Sequence, residues 1–241
     1  MVAQSPYQGR VKIFADGADR ASMLELSKNP LVKGLTTNPS LMRKSGVKDY
    51  KAFCLDILSQ IKTHPISFEV FADDFQEMHR QALEINSWGK NVYVKIPITN
   101  SLGQPALELI EKLSHQGVKL NVTALFTLEQ VEPTVKALKG GAPSIVSVFA
   151  GRVADTGRDP MPLMIASAEL CQKADKNIEL LWASSRELFN VVQAEMSGCQ
   201  IITCTTDIIK KMGALNKDLT ELSLETVKTF KMDADSASFK L

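Results

Sequence analysis

The sequence predicts an α/β chain folded as a single (β/α)8 TIM barrel with an extra C-terminal helix. Three observations lead there. Eight short β-branched runs alternate with longer segments of helical period. Eight such units in 241 residues match the length of a barrel. The main rival, a doubly wound open sheet, normally carries a glycine-rich turn after its first strand, and here that turn reads Asp16-Gly17-Ala18-Asp19, without a G-x-G-x-x-G.

The expected strands are Val11–Asp16, Val32–Asn38, Ile66–Phe71, Val92–Ile98, Lys119–Phe126, Ser144–Gly151, Ile178–Ser184 and Gln200–Thr206. The clearest helix is Asp74–Trp88, where Phe75, Met78, Ala82 and Ile85 repeat at i, i+3, i+4 spacing. Leu107–Leu113 and Leu163–Ala174 follow the same rule. Thr127 with Gln130 and Ser184 with Glu187 fit the capping-box pattern that opens a helix. Asp218–Thr229 has helical apolar spacing at Leu219, Leu222, Leu224 and Val227. It could cover the barrel or pack on a second subunit, so a homo-oligomer is left open. The chain reads as one domain over residues 1–241, with a short lead (1–10) and a small, polar, loose tail (232–241).

Composition narrows the class of function. Lys+Arg number 28 against 27 Asp+Glu, which argues against a nucleic-acid or membrane-surface protein. No apolar run reaches the roughly 18–20 residues of a spanning helix. The N-terminus MVAQSPYQGR has no apolar signal core, so a cytoplasmic location is expected. Cys54, Cys171, Cys199 and Cys204 form no C-x-x-C pair and read as reduced core thiols. His64, His79 and His115 fall in a pre-strand turn and two helices, away from strand ends, so no metal is expected.

Strand side chains alternate between two faces, and in a barrel one parity points inward. In the fourth strand Val92, Val94 and Ile96 share a fully apolar face that belongs under helices. Lys95 therefore points into the barrel. The same parity groups Ser67, Glu69 and Phe71 in the third strand, Asn121 and Thr123 in the fifth, and Ser147 with Ile145 and Phe149 in the sixth. The first strand ends at Asp16 and the second at Thr36-Thr37-Asn38. A barrel built only for stability would fill these layers with Val, Ile and Leu, and barrel enzymes keep their chemistry at this C-terminal mouth. Unpaired buried charges are too costly to be incidental, although a purely structural ion-pair network would also account for them.

Desolvation disfavours a lysine's ammonium, and the free amine condenses with a carbonyl to a Schiff base. Glu69, one strand away, could move protons through a water, and Asp16 could act at a substrate hydroxyl. Arg152 follows the sixth strand and Arg186 the seventh, where guanidinium forks and a helix N-terminus suit a phosphate. The residues thus describe a Schiff-base enzyme acting on a phosphorylated sugar.

Phe14-Ala15-Asp16, Gly34-Leu35-Thr36-Thr37-Asn38-Pro39-Ser40, Val94-Lys95-Ile96-Pro97 and Asn121-Val122-Thr123-Ala124-Leu125-Phe126 resemble the signature segments of the transaldolase family. Ser147 through Arg152 and Ala183 through Arg186 resemble two more, in the family's order, from about Val11 to about Met212. The resemblance implies that Lys95 is the Schiff-base lysine, Asp16 the acid/base at the bond being broken and Glu69 the carboxylate working through a water that Thr123 helps hold. Asn38 and Asn121 would contact substrate hydroxyls or the carbinolamine, with Thr36 in the same substrate-binding set. Ser147, Arg152 and Arg186 would hold the phosphate. No metal or organic cofactor is implied. The related fructose-6-phosphate aldolases typically carry glutamine in place of Glu69 and tyrosine in place of Phe149, so this chain is similar to the transaldolases at both. Ala154–Arg158 (ADTGR) departs from the family pattern. An aldolase that releases free dihydroxyacetone, and a non-catalytic sugar-phosphate-binding barrel, are the alternatives.

Overall fold

The computed structural model describes residues 7–238, which fall into two compact units. Gly9–Lys210 is the barrel. Its strands are β1 (Lys12–Asp16), β2 (Val32–Thr36), β3 (Ile66–Glu69), β4 (Val92–Pro97), β5 (Leu120–Leu125), β6 (Ser144–Val148), β7 (Ile178–Trp182) and β8 (Ile201–Thr205). They close in sequence order, and every pair is parallel. The helices are α1 (Arg20–Leu26), α2 (Pro39–Lys44), α3 (Tyr50–Gln60), α4 (Phe75–Ser87), α5 (Leu107–His115), α6 (Leu128–Leu138), α7 (Ala150–Ala154), α8 (Met161–Ala174), α9 (Phe189–Met196), α10 (Thr206–Lys211) and α11 (Leu219–Ser236). α11 belongs to the second unit, and Leu222, Leu224, Val227 and Phe230 along it are exposed. The helix runs past the expected Thr229 to Ser236, so residues 232–236 are helical, not a loose tail; residues 1–6 of the lead and 239–241 of the tail lie outside the described residues.

The apolar parity of β4 is the outward one. Val92, Val94 and Ile96 are at most 1% exposed beneath the helices, and burying each contributes on the order of 1.5–3 kcal/mol. The inward set packs as Phe14, Ile145, Leu181, Ala183 and Ile201, with Tyr93 and Phe149 against it. Phe14 fits because β2 has a glycine beside it: a Cβ on Gly34 would stand 2.5 Å from the ring. At the N-terminal end Lys12 pairs with Glu179 across β1 and β7 at 2.6 Å.

Each strand lies inside its expected span but is shorter: β1 gives up only its first residue, β5 and β8 one at each end, and the other five lose residues to the turn that follows. Asn38 leaves β2 to cap α2, its Oδ1 accepting the Leu41 N–H at 3.0 Å. Phe71 is not on the inner face of β3; it lies past the strand end, 65% exposed, edge-on to Tyr50. The Thr127–Gln130 capping box is present. The one expected at Ser184–Glu187 is not. Ser184 takes a left-handed φ of 64°, the Ser185 hydroxyl donates to the Thr203 carbonyl, and α9 starts only at Phe189. Arg186 thus stands three residues before a helix, not at its first turn.

Candidate active site

Strand register sets the floor of the site. Glu69 is the Cα partner of Lys95, and Lys95 is the partner of Asn121, so one row crosses β3, β4 and β5. Parallel neighbours in register point to the same face, so all three side chains meet inside the barrel. Lys95 Nζ lies 3.1 Å from Glu69 Oε2 and donates to the Thr37 carbonyl at 2.8 Å. Only 9% of the lysine side chain and 17% of the glutamate's are exposed.

Two polar chains flank this pair. On one side Thr203 Oγ1 lies 2.5 Å from Thr36 Oγ1, which donates to Asp16 Oδ1 at 2.8 Å, linking β8, β2 and β1. On the other, Ser147 Oγ donates to Asn121 Oδ1 at 2.6 Å and Asn121 Nδ2 donates to Ser67 Oγ at 3.0 Å, linking β6, β5 and β3. Thr123 Oγ1 is buried with no hydrogen-bond partner among the described residues. Its strand is irregular there: the β5–β6 register shifts between Val122 and Leu125, and Ala124 has a φ of 62°. A non-glycine residue in that region marks a backbone held by its surroundings.

Burial pushes the Asp16 carboxyl above the ordinary aspartate value of 3.8; the Lys95 charge and the Thr36 hydrogen bond pull against that, and Glu69 adds to it. Lys95 thus lies within the field of two carboxylates, Glu69 in contact with it and Asp16 acting through the charge interaction.

Above the floor lies a cavity of about 310 Å³. Every expected site residue except Glu69 lines it: Asp16, Thr36, Asn38, Lys95, Asn121, Thr123, Ser147, Arg152 and Arg186. Glu69 stands behind, against the lysine. Arg152 stacks 5.1 Å from the Phe149 ring centroid. Arg186 forks onto Asp155, Nη2 to Oδ2 at 2.6 Å and Nε to both oxygens at 3.1 Å, and holds that carboxyl below its usual range. Asp155 comes from the segment that departs from the family pattern. Both partners are about half exposed, so water screens the pair.

Sequence reasoning missed several lining residues. Thr203 and Thr205 share the inward parity of β8 with Ile201, and the alternation test applied to that strand would have found them. Ser40, Lys44 and Ser185 sit on turns and short helices where no periodicity marks them.

The fold and site now bear comparison with known proteins. The family model for transaldolase/fructose-6-phosphate aldolase matches residues 13–241. The chain belongs to the transaldolase/fructose-6-phosphate aldolase family. It is 35% identical over 202 residues to a "Probable transaldolase" of Dehalococcoides mccartyi, covering 84% of this chain and 90% of that one. A "Probable transaldolase" of Thermoanaerobacter sp. is 33% identical over 231 residues, covering 96% and 100%. Among solved structures, 3-hexulose-6-phosphate synthase from Salmonella typhimurium has a TM-score of 0.56 at 14% identity, with 81% and 89% covered. KGPDC from Streptococcus mutans has a TM-score of 0.57 at 9% identity, with 85% and 92% covered. Those two show the barrel fold alone. Among the described residues of this family member, no three His, Cys, Asp or Glu side chains are grouped to hold a metal, and no helix is long and apolar enough to cross a membrane.

Proposed function

We propose that the chain is a transaldolase that transfers a dihydroxyacetone unit from a ketose phosphate, sedoheptulose 7-phosphate or fructose 6-phosphate, to an aldose phosphate through a Schiff base on Lys95. The observation that carries this reading is the buried Lys95 Nζ at the cavity floor, 3.1 Å from the Glu69 carboxylate. Proton transfer to Glu69 frees the amine to add to the ketose carbonyl. Glu69, through a water held at the unpartnered Thr123 hydroxyl, returns the proton as the carbinolamine loses water. The protonated imine then draws electrons from the adjacent C–C bond as Asp16 takes the proton of the substrate hydroxyl. A carboxyl held above its ordinary range is a stronger base for that step once ionised. The aldose phosphate leaves, and the enamine on Lys95 waits for the acceptor aldehyde.

The polar chains supply orientation. Asn121, Asn38 and Thr36 present donors and acceptors to the substrate hydroxyls, and Ser147, Arg152 and Arg186 take the phosphate. No metal or organic cofactor enters any step. An aldolase that releases free dihydroxyacetone would share the floor residues. Glu69 and the Phe149 that packs on Phe126 at 5.4 Å favour transfer. The test is turnover of fructose 6-phosphate with and without an added aldose phosphate. Transaldolase activity gives little product until the acceptor is supplied; steady release of dihydroxyacetone without acceptor would overturn the transfer assignment.

A further inference from the structure

The β2–β3 ladder stops early beside the candidate catalytic pair, and the reason is chemical. The Leu35 N–H donates to the Pro65 carbonyl at 2.9 Å and the Thr37 N–H to the Ser67 carbonyl at 3.2 Å. In a parallel ladder the next two rungs would run from the Glu69 N–H to the Thr37 carbonyl and from the residue 39 N–H to the Glu69 carbonyl. Neither forms. The Thr37 carbonyl accepts the Lys95 ammonium at 2.8 Å, and residue 39 is proline, which has no N–H. Both backbone groups of Glu69 would be left without partners at a half-buried strand end, a cost of about 1–3 kcal/mol for each buried group.

Tyr50 answers both. Its hydroxyl accepts the Glu69 N–H at 2.9 Å and donates to the Glu69 carbonyl at 2.9 Å. The ring is held edge-on to Phe71 at 5.5 Å and tilted against Trp88 at 6.2 Å, and Tyr50 opens α3 just after the Asp49 N-cap. Burial pushes its phenol well up, so it stays protonated and can serve as donor and acceptor together.

We propose that Tyr50 is a positioning residue for the Lys95–Glu69 pair: its hydroxyl replaces two ladder rungs at Glu69 and so leaves the Thr37 carbonyl to hold Lys95. Without that hydroxyl, the Glu69 N–H competes for the Thr37 carbonyl. The lysine then loses a fixed partner and the glutamate backbone shifts toward β2. The proposal rests on the Schiff-base reading of Lys95.

Tyr50→Phe removes the hydroxyl and keeps the ring; Tyr50→Leu removes both. The readouts are the steady-state constants for fructose 6-phosphate and the rate at which borohydride fixes its adduct on Lys95, each on protein shown folded by circular dichroism. Tyr50→Phe is expected to lower kcat and the trapping rate by roughly tenfold to a hundredfold, the scale of an ångström-level misplacement, with KM within about twofold. Tyr50→Leu is expected to lower Tm further while losing no more than about threefold additional kcat, since the hydroxyl is already gone. Activity of Tyr50→Phe within twofold of wild type, or activity that follows Tm across the two variants, overturns the proposal and makes Tyr50 structural. If wild type itself gives no Lys95 adduct, the Schiff-base reading has failed and the Tyr50 proposal falls with it; a normal wild-type adduct with an equally fast Tyr50→Phe adduct condemns the Tyr50 proposal alone.

Discussion

Asp16 is held at odds with its own charge. Its burial raises the carboxyl above 3.8, more than the nearby Lys95 charge and the Thr36 hydrogen bond offset. The linkage has a definite sign. Below pH 3.8 both folded and unfolded chains carry the proton and no difference arises. As pH rises, the unfolded carboxyl ionises first, so wild type loses stability until the folded carboxyl ionises too. Asp16→Asn removes the ionisation and keeps the size. It is expected to have a higher Tm than wild type at pH 7, a gap that closes as pH falls toward 3.8, and to lose C–C cleavage by at least about a hundredfold. Thermal melts at several pH values with matched assays check this. A variant less stable than wild type at neutral pH would show that Asp16 is held in place by favourable charge interactions instead. The residue type was legible in the sequence, because an aspartate ending an inward strand is conspicuous. Its proton affinity was not, since that depends on Lys95, Glu69 and Thr36 arriving from three other strands.

At the scale of elements, the mouth is built by two loops in backbone contact. A Cβ on Gly151 would stand 1.6 Å from the Ser184 carbonyl oxygen, and the Gly151 N–H donates to the Ala183 carbonyl at 3.3 Å. The close approach brings α7, with Arg152, against the β7 exit, with Arg186. Ser184 pays for it with a left-handed backbone. Gly151→Ala forces the loops apart and is expected to cost roughly 1–3 kcal/mol, typical of overpacking, and to raise KM for fructose 6-phosphate at least about fivefold. The melting temperature and the KM of that variant are the measurements, and wild-type values for both would show that the loop contact is not what seats the arginines. The alternation of apolar and polar residues made β1 through β8 legible, along with which faces looked inward. It could not show how the strands end. Asn38 leaves its strand to cap α2, Gly151 joins a helix, and the Ser184–Glu187 pattern that resembled a cap is a strained turn instead. A four-residue motif reads the same in either setting, and tertiary contacts choose between them.

For the whole molecule, the barrel's register does the assembling. Lys95, Glu69 and Asn121 are 26 positions apart in the chain at each step and fall in one row because β3, β4 and β5 pair as they do. Closure then brings Asp16 and Thr203 from β1 and β8 to the opposite flank. Parity alone was enough to find the row, since the inward polar residues named from the sequence line the cavity or touch Lys95, except Ser67, which sits behind Asn121 and accepts its amide. The supporting parts were out of its reach. Tyr50 lies on a helix, and its role follows from a ladder that Pro39 and Lys95 interrupt. Asp155 meets Arg186 across 31 positions. The measurement that tests the central claim most directly is borohydride reduction in the presence of fructose 6-phosphate, followed by peptide mass spectrometry. The expected result is a dihydroxyacetone-derived adduct on the peptide containing Lys95 and on no other lysine; an unmodified Lys95, or an adduct elsewhere, would contradict the Schiff-base account.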